Sequence, residues 1–402
     1  MNSDNYKKGS GYTEHYPAEQ LSPIISRDIS MSIGILSDEK NFENRIPITP
    51  QGVETLVKAG HKIIIESNAG KEAGFLDSSY ITAGAIISQA KEEVFRSEIL
   101  IKVAPFKEHE IGFLNSSHTI ISTVPLNSEY KNPTLSLMNK RLTALCMDLI
   151  ETEDGYNPYI NIMGQIAGNL VLTLATSHLT KVNDGKGIIL GNILGIPQTE
   201  IVILGTNKVA ETIANIAINM GAQVCVYDSS LQNLDSLQSK LDKAVYTSVY
   251  HHNALSKSLI SADIVVNTNH WCCSQMLISE DMVKSMKNKS VIVDLSNSSG
   301  KNIETSEAKN TSDFVFDKHE VRHICTPNIC SFAPKTASIA LSNIFTQSLI
   351  EIGKAGGVEN YLRKSYQYRR GTYIFRGLST NQQLSEELGL QYNDLELLFE
   401  IF

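Results

Sequence analysis

The chain has 402 residues, of which 42% are hydrophobic and 19% charged, and its formal net charge is −8. This length favours two or three domains that each bury a core, and the acidity excludes the basic surface by which proteins hold nucleic acid. No apolar run approaches the roughly 18–20 residues of a membrane span. We therefore expect a soluble, cytoplasmic protein that contacts neither nucleic acid nor a membrane.

The six cysteines argue against a metal centre. They form no C-x-x-C pair and match no zinc spacing, and the adjacent Cys272 and Cys273 are followed by no second ligand cluster. Scattered cysteines in a chain of this size are mostly small buried hydrophobic residues kept reduced in a cytosol. We predict no metal site.

The first half of the chain alternates strands and helices. Residues 1–30 are polar and aperiodic, and we expect a flexible arm there. A helix is predicted over Thr49–Ala59, with Thr49 as N-cap, Pro50 in the first turn and Gly60 as the stop. Strands are predicted at Met31–Leu36, Lys62–Glu66, Ile99–Val103 and Thr119–Val124. This alternation implies a parallel sheet with helices on both faces.

A long apolar helix follows over Asn161–Leu179. Its small residues Gly164, Ala167 and Gly168 allow a neighbouring helix to approach closely. The strand–helix pattern then restarts at Glu200, which indicates a domain boundary between about 160 and 200.

The second unit carries the clearest local pattern of the sequence. A buried strand at Ile201–Leu204 leads into Gly205, the helix Val209–Met220 and the strand Gln223–Tyr227, which Asp228 follows. Strand, turn, helix, strand and acid are the parts of a doubly wound, Rossmann-type dinucleotide-binding fold. Further parallel strands are predicted at Ile264–Asn267, Ser290–Asp294 and His323–Cys325.

The glycine fingerprint of this fold is altered. The loop from Gly205 to Ala210 reads G-T-N-K-V-A, so that G-x-G-x-x-G becomes G-x-N-x-x-A. Ala210 is a tolerated change, but Asn207 replaces the glycine that lets the backbone approach the pyrophosphate. Asparagine adopts left-handed dihedrals, so the turn survives while the side chain obstructs the phosphate. Lys208 could offset this with its charge; alternatively, the layer is a scaffold that binds no nucleotide.

Several ordered blocks resemble one family. They are Glu43-Asn44-Arg45-Ile46-Pro47-Ile48-Thr49-Pro50, Gly60-His61-Lys62, Lys186-Gly187, Gly195-Ile196-Pro197, Ser290–Asp294, Pro327-Asn328 and Lys335–Asn343. Together they resemble the alanine dehydrogenase and nicotinamide-nucleotide transhydrogenase α-subunit family. The resemblance implies two α/β domains, with a Rossmann-type NAD-binding domain (166–329) inserted into a substrate domain (31–165 and 330–402). It also implies reversible oxidative deamination of an amino acid to a 2-oxo acid, with NAD as cofactor, and a homo-oligomer.

The resemblance assigns roles at individual positions. Arg45 matches the arginine that clamps the substrate carboxylate, and Asn328 stands in the block bordering the nicotinamide. The cofactor would also contact Gly205, Asn207, Lys208, Ala210 and Asp228. The catalytic lysine, histidine and aspartate of the family are replaced by Ala104, Pro125 and Ser298.

Three readings of function follow from these substitutions. The first is an NAD-dependent amino-acid dehydrogenase acting on L-alanine or a similar amino acid. The second is a catalytically impaired member that serves as a binding or assembly subunit, since the loss of one acid–base group costs 10²–10⁴ in rate. The third is a reductase of a bulkier imine. Five other residues could replace the missing groups, although a structural role is favoured for each. They are His118, Glu151, Asp154, His270 and His323.

Overall fold

A computed structural model describes residues 29–38, 43–124, 130–241, 245–269, 276–296, 299–309 and 313–401. Within them the chain forms fifteen strands: β1 Ser32–Ile35, β2 Lys62–Glu66, β3 Ile86–Ser88, β4 Ile99–Ile101, β5 Thr119–Ser122, β6 Thr143–Cys146, β7 Glu200–Leu204, β8 Gln223–Asp228, β9 Tyr246–Val249, β10 Ile264–Asn267, β11 Val291–Asp294, β12 Val315–Lys318, β13 Val321–Cys325, β14 Thr372–Phe375 and β15 Leu378–Ser379.

The same residues form fifteen helices: α1 Pro50–Lys58, α2 Asp77–Thr82, α3 Lys91–Val94, α4 Glu108–Ile111, α5 Lys131–Asn139, α6 Pro158–Leu179, α7 Lys208–Asn219, α8 Leu231–Lys240, α9 His252–Ser261, α10 Glu280–Lys284, α11 Pro334–Ala355, α12 Val358–Lys364, α13 Tyr366–Gly371, α14 Gln382–Leu388 and α15 Leu395–Ile401. Short 3-10 turns cover Met147–Leu149, Lys181–Asn183 and Ile329–Phe332. None of the helices in the described part of the chain combines the length and the apolar character needed to cross a bilayer.

The strands form two sheets. The first has the order β15-β14-β6-β5-β4-β1-β2-β3. Its strands β1 to β6 all run parallel to one another, and β14 runs antiparallel to β6. The second has the order β12-β13-β11-β10-β7-β8-β9, in which only β12 is antiparallel. The second order is that of a doubly wound dinucleotide-binding domain, which confirms the predicted two-domain α/β fold.

Each sheet is buried on both faces. Ile99 and Ile101 of β4 pack with helices α1 and α11 on one face, while Leu100 packs against α3, α4 and α5 on the other. The second sheet alternates in the same way, with Ile201 toward α7 and Val202 toward α9. Runs of β-branched and aliphatic residues are therefore required on consecutive positions, which is why the sequence predicted these central strands.

Helix α6 links the two cores. Tyr159 near its start belongs to the first core, and Ala167 to Leu179 belong to the second. A Cβ on Gly168 would lie 2.7 Å from the Thr212 Cβ of α7, so glycine is needed for this approach, as predicted. The second sheet is inserted in sequence between the strands of the first, and the boundaries at 165/166 and 329/330 stay predictions.

Thr49 is the N-cap of α1, as predicted, but its side chain makes no capping hydrogen bond. Its hydroxyl instead lies 3.0 Å from the Ser342 hydroxyl, because α11 packs beside α1. Six strands were not predicted: β3, β6, β9, β12, β14 and β15. All but β6 lie at or near a sheet edge, where the hydrophobic pattern is weaker. Strand β6 lies inside the first sheet, between β5 and β14, and its four residues, T-A-L-C, include a single β-branched position. Residues 1–28 of the predicted arm lie outside the described residues.

Candidate functional site

The loop from β7 to α7 lies at the carboxyl edge of the second sheet, between β8 on one side and β10 on the other. This is the switch point at which open α/β sheets bind ligands. Gly205 has φ +100°, and a Cβ there would lie 2.6 Å from the Thr268 hydroxyl and 2.7 Å from Asn269 Oδ1. Glycine is therefore required at this turn.

Asn207 is the N-cap of α7. Its Oδ1 accepts hydrogen bonds from the backbone N–H groups of Val209 and Ala210, both at 3.1 Å. Its Nδ2 donates to the Thr268 carbonyl at 2.6 Å. The predicted left-handed backbone is wrong: φ is −68° and ψ −179°, which is the extended conformation of an N-cap. The side chain thus occupies two N–H groups that a helix N-terminus offers to a phosphate.

Lys208 and Ala210 occupy the next positions of the fingerprint. The Lys208 ammonium pairs with Glu211 on the same helix, and its Cβ would lie 2.9 Å from a Cβ placed on Gly164. Ala210 is fully buried, as a helix–strand contact requires. In this structure the lysine charge is therefore balanced within α7.

Asp228 ends β8 with its carboxylate mostly buried. Oδ2 accepts a hydrogen bond from the Thr206 hydroxyl at 2.8 Å, and Oδ1 accepts one from the Ser230 N–H at 2.9 Å. A carboxylate has about four lone-pair positions, so two such bonds leave acceptor capacity for ribose hydroxyls. The structure places this acid where the sequence predicted it, beside the β7–α7 loop.

A second group of side chains joins the two domains. Arg45 Nε and Nη2 donate to Glu43 Oε1 at 2.6 Å and Oε2 at 2.5 Å, and Nη2 also donates to Asn328 Oδ1 at 3.1 Å. Asn328 Nδ2 and the Ser331 hydroxyl donate to the same Glu43 carboxylate at 3.1 and 3.0 Å. The structure therefore brings together Arg45 and Asn328, which the sequence predicted to act in one cleft. Burial alone would raise the pKa of Glu43, but the charge and hydrogen bonds of Arg45 outweigh it and hold that pKa below its usual range.

Asp148 lies near this group on the 3-10 turn after β6. Burial raises the pKa of its carboxyl to about 6, although the positive charge of Arg45 opposes the shift.

Sequence reasoning missed Glu43, Ser331 and Asp148. Two signals were available: Glu43 stands two positions before Arg45 in one motif, and Asp148 comes directly after the carboxyl end of a parallel strand, where ligand-binding residues gather.

Ala104, which the resemblance assigns to the position of the family lysine, follows two positions after Lys102. Lys102 is fully buried, and its Nζ lies 2.9 Å from Glu110 Oε2 and 3.1 Å from Asp38 Oδ1. The Ala104 N–H donates to Asp38 Oδ2 at 3.1 Å. Lys102 is thus committed to a buried ion cluster. Pro125 and Ser298, and the candidate His270, lie outside the described residues.

The remaining replacement candidates have structural contacts. His118 Nδ1 accepts the Asn115 N–H at 3.0 Å, and burial lowers the pKa of this histidine. His323 lies between the Thr305 hydroxyl and the Val321 carbonyl, and burial lowers its pKa as well. Glu151 pairs loosely with Arg370, and Asp154 accepts from Thr152 at the surface. These contacts do not bring any of the four into the group around Arg45.

Comparisons with known proteins agree on one family. The N-terminal domain of the alanine dehydrogenase/PNT family matches residues 34–167, and its C-terminal domain matches residues 171–382. An alanine dehydrogenase of Staphylococcus epidermidis is 29% identical over 91% of this chain and 99% of its own length. A solved L-alanine dehydrogenase has a TM-score of 0.79 at 25% identity, over 89% of this chain and 99% of that one. A transhydrogenase from Sinorhizobium meliloti, 17% identical with a TM-score of 0.71 over 87% of this chain and 99% of that one, shares the fold.

Proposed function

Because the chain belongs to the alanine dehydrogenase/PNT family, we propose that it is an NAD-dependent amino-acid dehydrogenase. It would interconvert L-alanine, or a similar small amino acid, with a 2-oxo acid and ammonium. The observation that carries this proposal is the group formed by Arg45, Glu43 and Asn328, which joins the substrate domain to the edge of the cofactor domain.

Arg45 would bind the substrate carboxylate. Glu43 fixes the guanidinium from one side, and in the described part of the chain the only partner of Nη1 is the Met163 sulfur at 3.5 Å. A thioether is a weak acceptor, so a carboxylate that replaces it would gain a charge-assisted hydrogen bond. Glu43 orients the arginine but also neutralises it, and a substrate must compete for its N–H groups.

The residues of the second domain fit NAD in part. Asp228 has acceptor capacity for the ribose, and Gly205 leaves room at the turn. The pyrophosphate would reach the N–H groups of α7 only after the Asn207 side chain rotates away from them. When bound, NAD supplies a nicotinamide that accepts or donates hydride.

Asn207 also favours a second candidate, a catalytically impaired member that acts as a binding or assembly subunit. The N–H groups that would bind the phosphates are already satisfied, and Ala104 supplies no charge at the lysine position. In this case the Rossmann-type layer persists as a scaffold.

Cofactor binding separates the two candidates. Thermal shift and calorimetric titration with NAD⁺, NADH and NADP⁺ come first, since a ligand of the folded state must raise its melting temperature. NADH oxidation by pyruvate with ammonium follows. Binding and turnover, with turnover lost in Arg45→Met but kept in the exposed control Lys58→Met, support the dehydrogenase. A chain that binds no cofactor at millimolar concentration would refute it.

The homo-oligomeric assembly and the cytoplasmic location belong to the same proposal. Light scattering of the purified full chain tests the first, and cell fractionation tests the second. A monomer at micromolar concentration would contradict the expected assembly.

A further inference from the structure

Asp148 lies beside the proposed substrate site, and the proposed function gives this acid no role. Its turn, Met147–Leu149, follows β6 at the carboxyl edge of the first sheet. Asn157 fixes this turn, because its Nδ2 donates to the Asp148 carbonyl at 2.8 Å while its Oδ1 caps α6 through the Ile160 N–H at 3.0 Å. Asp148 is therefore held rigidly at the start of α6.

The same helix positions Arg45. Met163, in the second turn of α6, contacts Arg45 Nη1 at 3.5 Å. Asp148 and Arg45 are close enough for each charge to shift the pKa of the other group. The turn after β6 and the Arg45 guanidinium therefore both lie beside the first two turns of α6, near enough for their charges to interact.

The two acids differ in their partners. Glu43 is saturated by Arg45, Asn328 and Ser331. The Asp148 carboxylate, in contrast, accepts no hydrogen bond from the described residues, although it is mostly shielded from solvent. A shielded carboxylate without donors lacks the hydrogen bonds that normally stabilise its charge. Within the described part of the chain, the Asp148 carboxylate thus has acceptor positions that the donors of a ligand could occupy.

The charges of the group also lack a cation. Arg45 contributes one positive charge, and Glu43 and Asp148 contribute two negative charges when both are ionised. A 2-oxo acid would add a further negative charge, whereas an amino acid brings an ammonium group with its carboxylate. The two charges of the amino acid cancel, so it would leave the net charge of the group at −1, where the 2-oxo acid would make it −2, and its ammonium group would supply hydrogen-bond donors to Asp148.

We propose that Asp148 binds the ammonium group of the amino acid whose carboxylate Arg45 holds, and that it is the subsite for free ammonium in the reverse direction. This inference rests on the proposed amino-acid site. Arg45 selects a carboxylate, which substrate and product share, and Asp148 distinguishes the amino acid from the 2-oxo acid.

The test is calorimetric titration of the full chain with L-alanine in the presence of NADH and with pyruvate in the presence of NAD⁺, pairs that cannot react with each other. In Asp148→Asn, L-alanine affinity falls about tenfold or more, as expected for loss of a charged hydrogen bond, while pyruvate affinity stays within about twofold. Asp148→Glu retains part of the L-alanine affinity. The matched control is Asp154→Asn, an exposed acid nearby, which changes neither ligand. If turnover is present, the KM for ammonium rises in Asp148→Asn and the KM for pyruvate does not.

The outcomes separate this inference from the function on which it rests. A wild-type chain that binds neither ligand refutes both. A wild-type chain that binds both, with L-alanine affinity unchanged in Asp148→Asn, overturns the ammonium subsite and leaves the dehydrogenase proposal intact. Equal loss of both ligands in Asp148→Asn means that the acid acts through Arg45 or through the fold, which also overturns it.

Discussion

Replacing Asn207 by glycine is expected to tighten NADH binding by about ten- to a hundredfold. The Asn207 side chain accepts hydrogen bonds from two backbone N–H groups of α7 and donates one to the Thr268 carbonyl. Each such bond contributes about 1 kcal/mol net, so a cofactor that displaces the side chain loses about 3 kcal/mol in wild type, which is about a hundredfold in affinity. Glycine removes this competition and also the atoms that stand before the helix N-terminus.

The same substitution lowers stability slightly. Loss of an asparagine cap to glycine costs a few tenths of a kcal/mol, and loss of the bond to Thr268 adds about 1 kcal/mol. Calorimetry with NADH measures the affinity, and urea denaturation without cofactor measures the stability. The matched control is Asn381→Gly, which removes the asparagine cap of α14. Unchanged NADH affinity in Asn207→Gly, with a stability loss like that of the control, would refute the argument that the cap competes with the cofactor.

Three further substitutions test the packing and the charges. Lys102→Met removes the cation beside the buried Asp38 and the nearer of the two lysines at Glu110 and should cost about 3–5 kcal/mol in urea denaturation. Gly168→Ala forces a methyl group against α7 and should cost about 1–3 kcal/mol, measured in the same way. Asp148→Asn should stabilise the protein at pH 7.5 and not at pH 4. The raised pKa of about 6 makes the folded state hold its proton more tightly than the unfolded chain, so wild type loses up to about 3 kcal/mol as pH rises from about 4 to 6.

Each of these predictions has its own control. Lys58→Met removes an exposed ion pair and should change stability by less than about 1 kcal/mol; an equal effect of Lys102→Met would contradict the burial argument. Asn169→Ala changes an exposed position next to Gly168 and should be neutral or stabilising. A stability difference between Asp148→Asn and wild type that is the same at pH 4 and pH 7.5 would show that this carboxyl titrates normally.

The central strands were predictable because both faces of each sheet are covered. The run Ile201–Leu204 has no polar position, and the structure buries every one of these side chains. Strand β9, in contrast, lies at a sheet edge with its four residues exposed or half-buried, so its sequence carries no comparable pattern. Burial on both faces explains why Ile201–Leu204 was predictable, and the edge position explains why β9 was missed. The interior strand β6 was missed because Thr143–Cys146 includes only one β-branched side chain.

The candidate site was predictable in its parts but not in its contacts. Arg45 and Asn328 lie together and Asp228 lies beside the β7–α7 loop, as the order of the motifs along the chain predicted. The left-handed backbone predicted for Asn207 is wrong, because the residue was compared with the glycine that it replaces. An asparagine directly before an apolar helix is itself an N-cap signal. The contacts of Glu43 with Asn328 and Ser331 span nearly 290 positions of sequence, and local pattern carries no information at that range.

The pairing of β14 with β6 has a consequence for biosynthesis. Strand β6 ends at Cys146, and the neighbour that covers its edge begins only at Thr372. At the roughly 5–20 residues per second of synthesis, the intervening residues take on the order of ten to forty seconds to add. During that time β6 is an open, hydrophobic sheet edge, of the kind that pairs with other chains. The nascent chain is therefore most exposed to aggregation while the nucleotide-binding domain is being made, and a chaperone that shields β6 during this interval would raise the yield of folded protein.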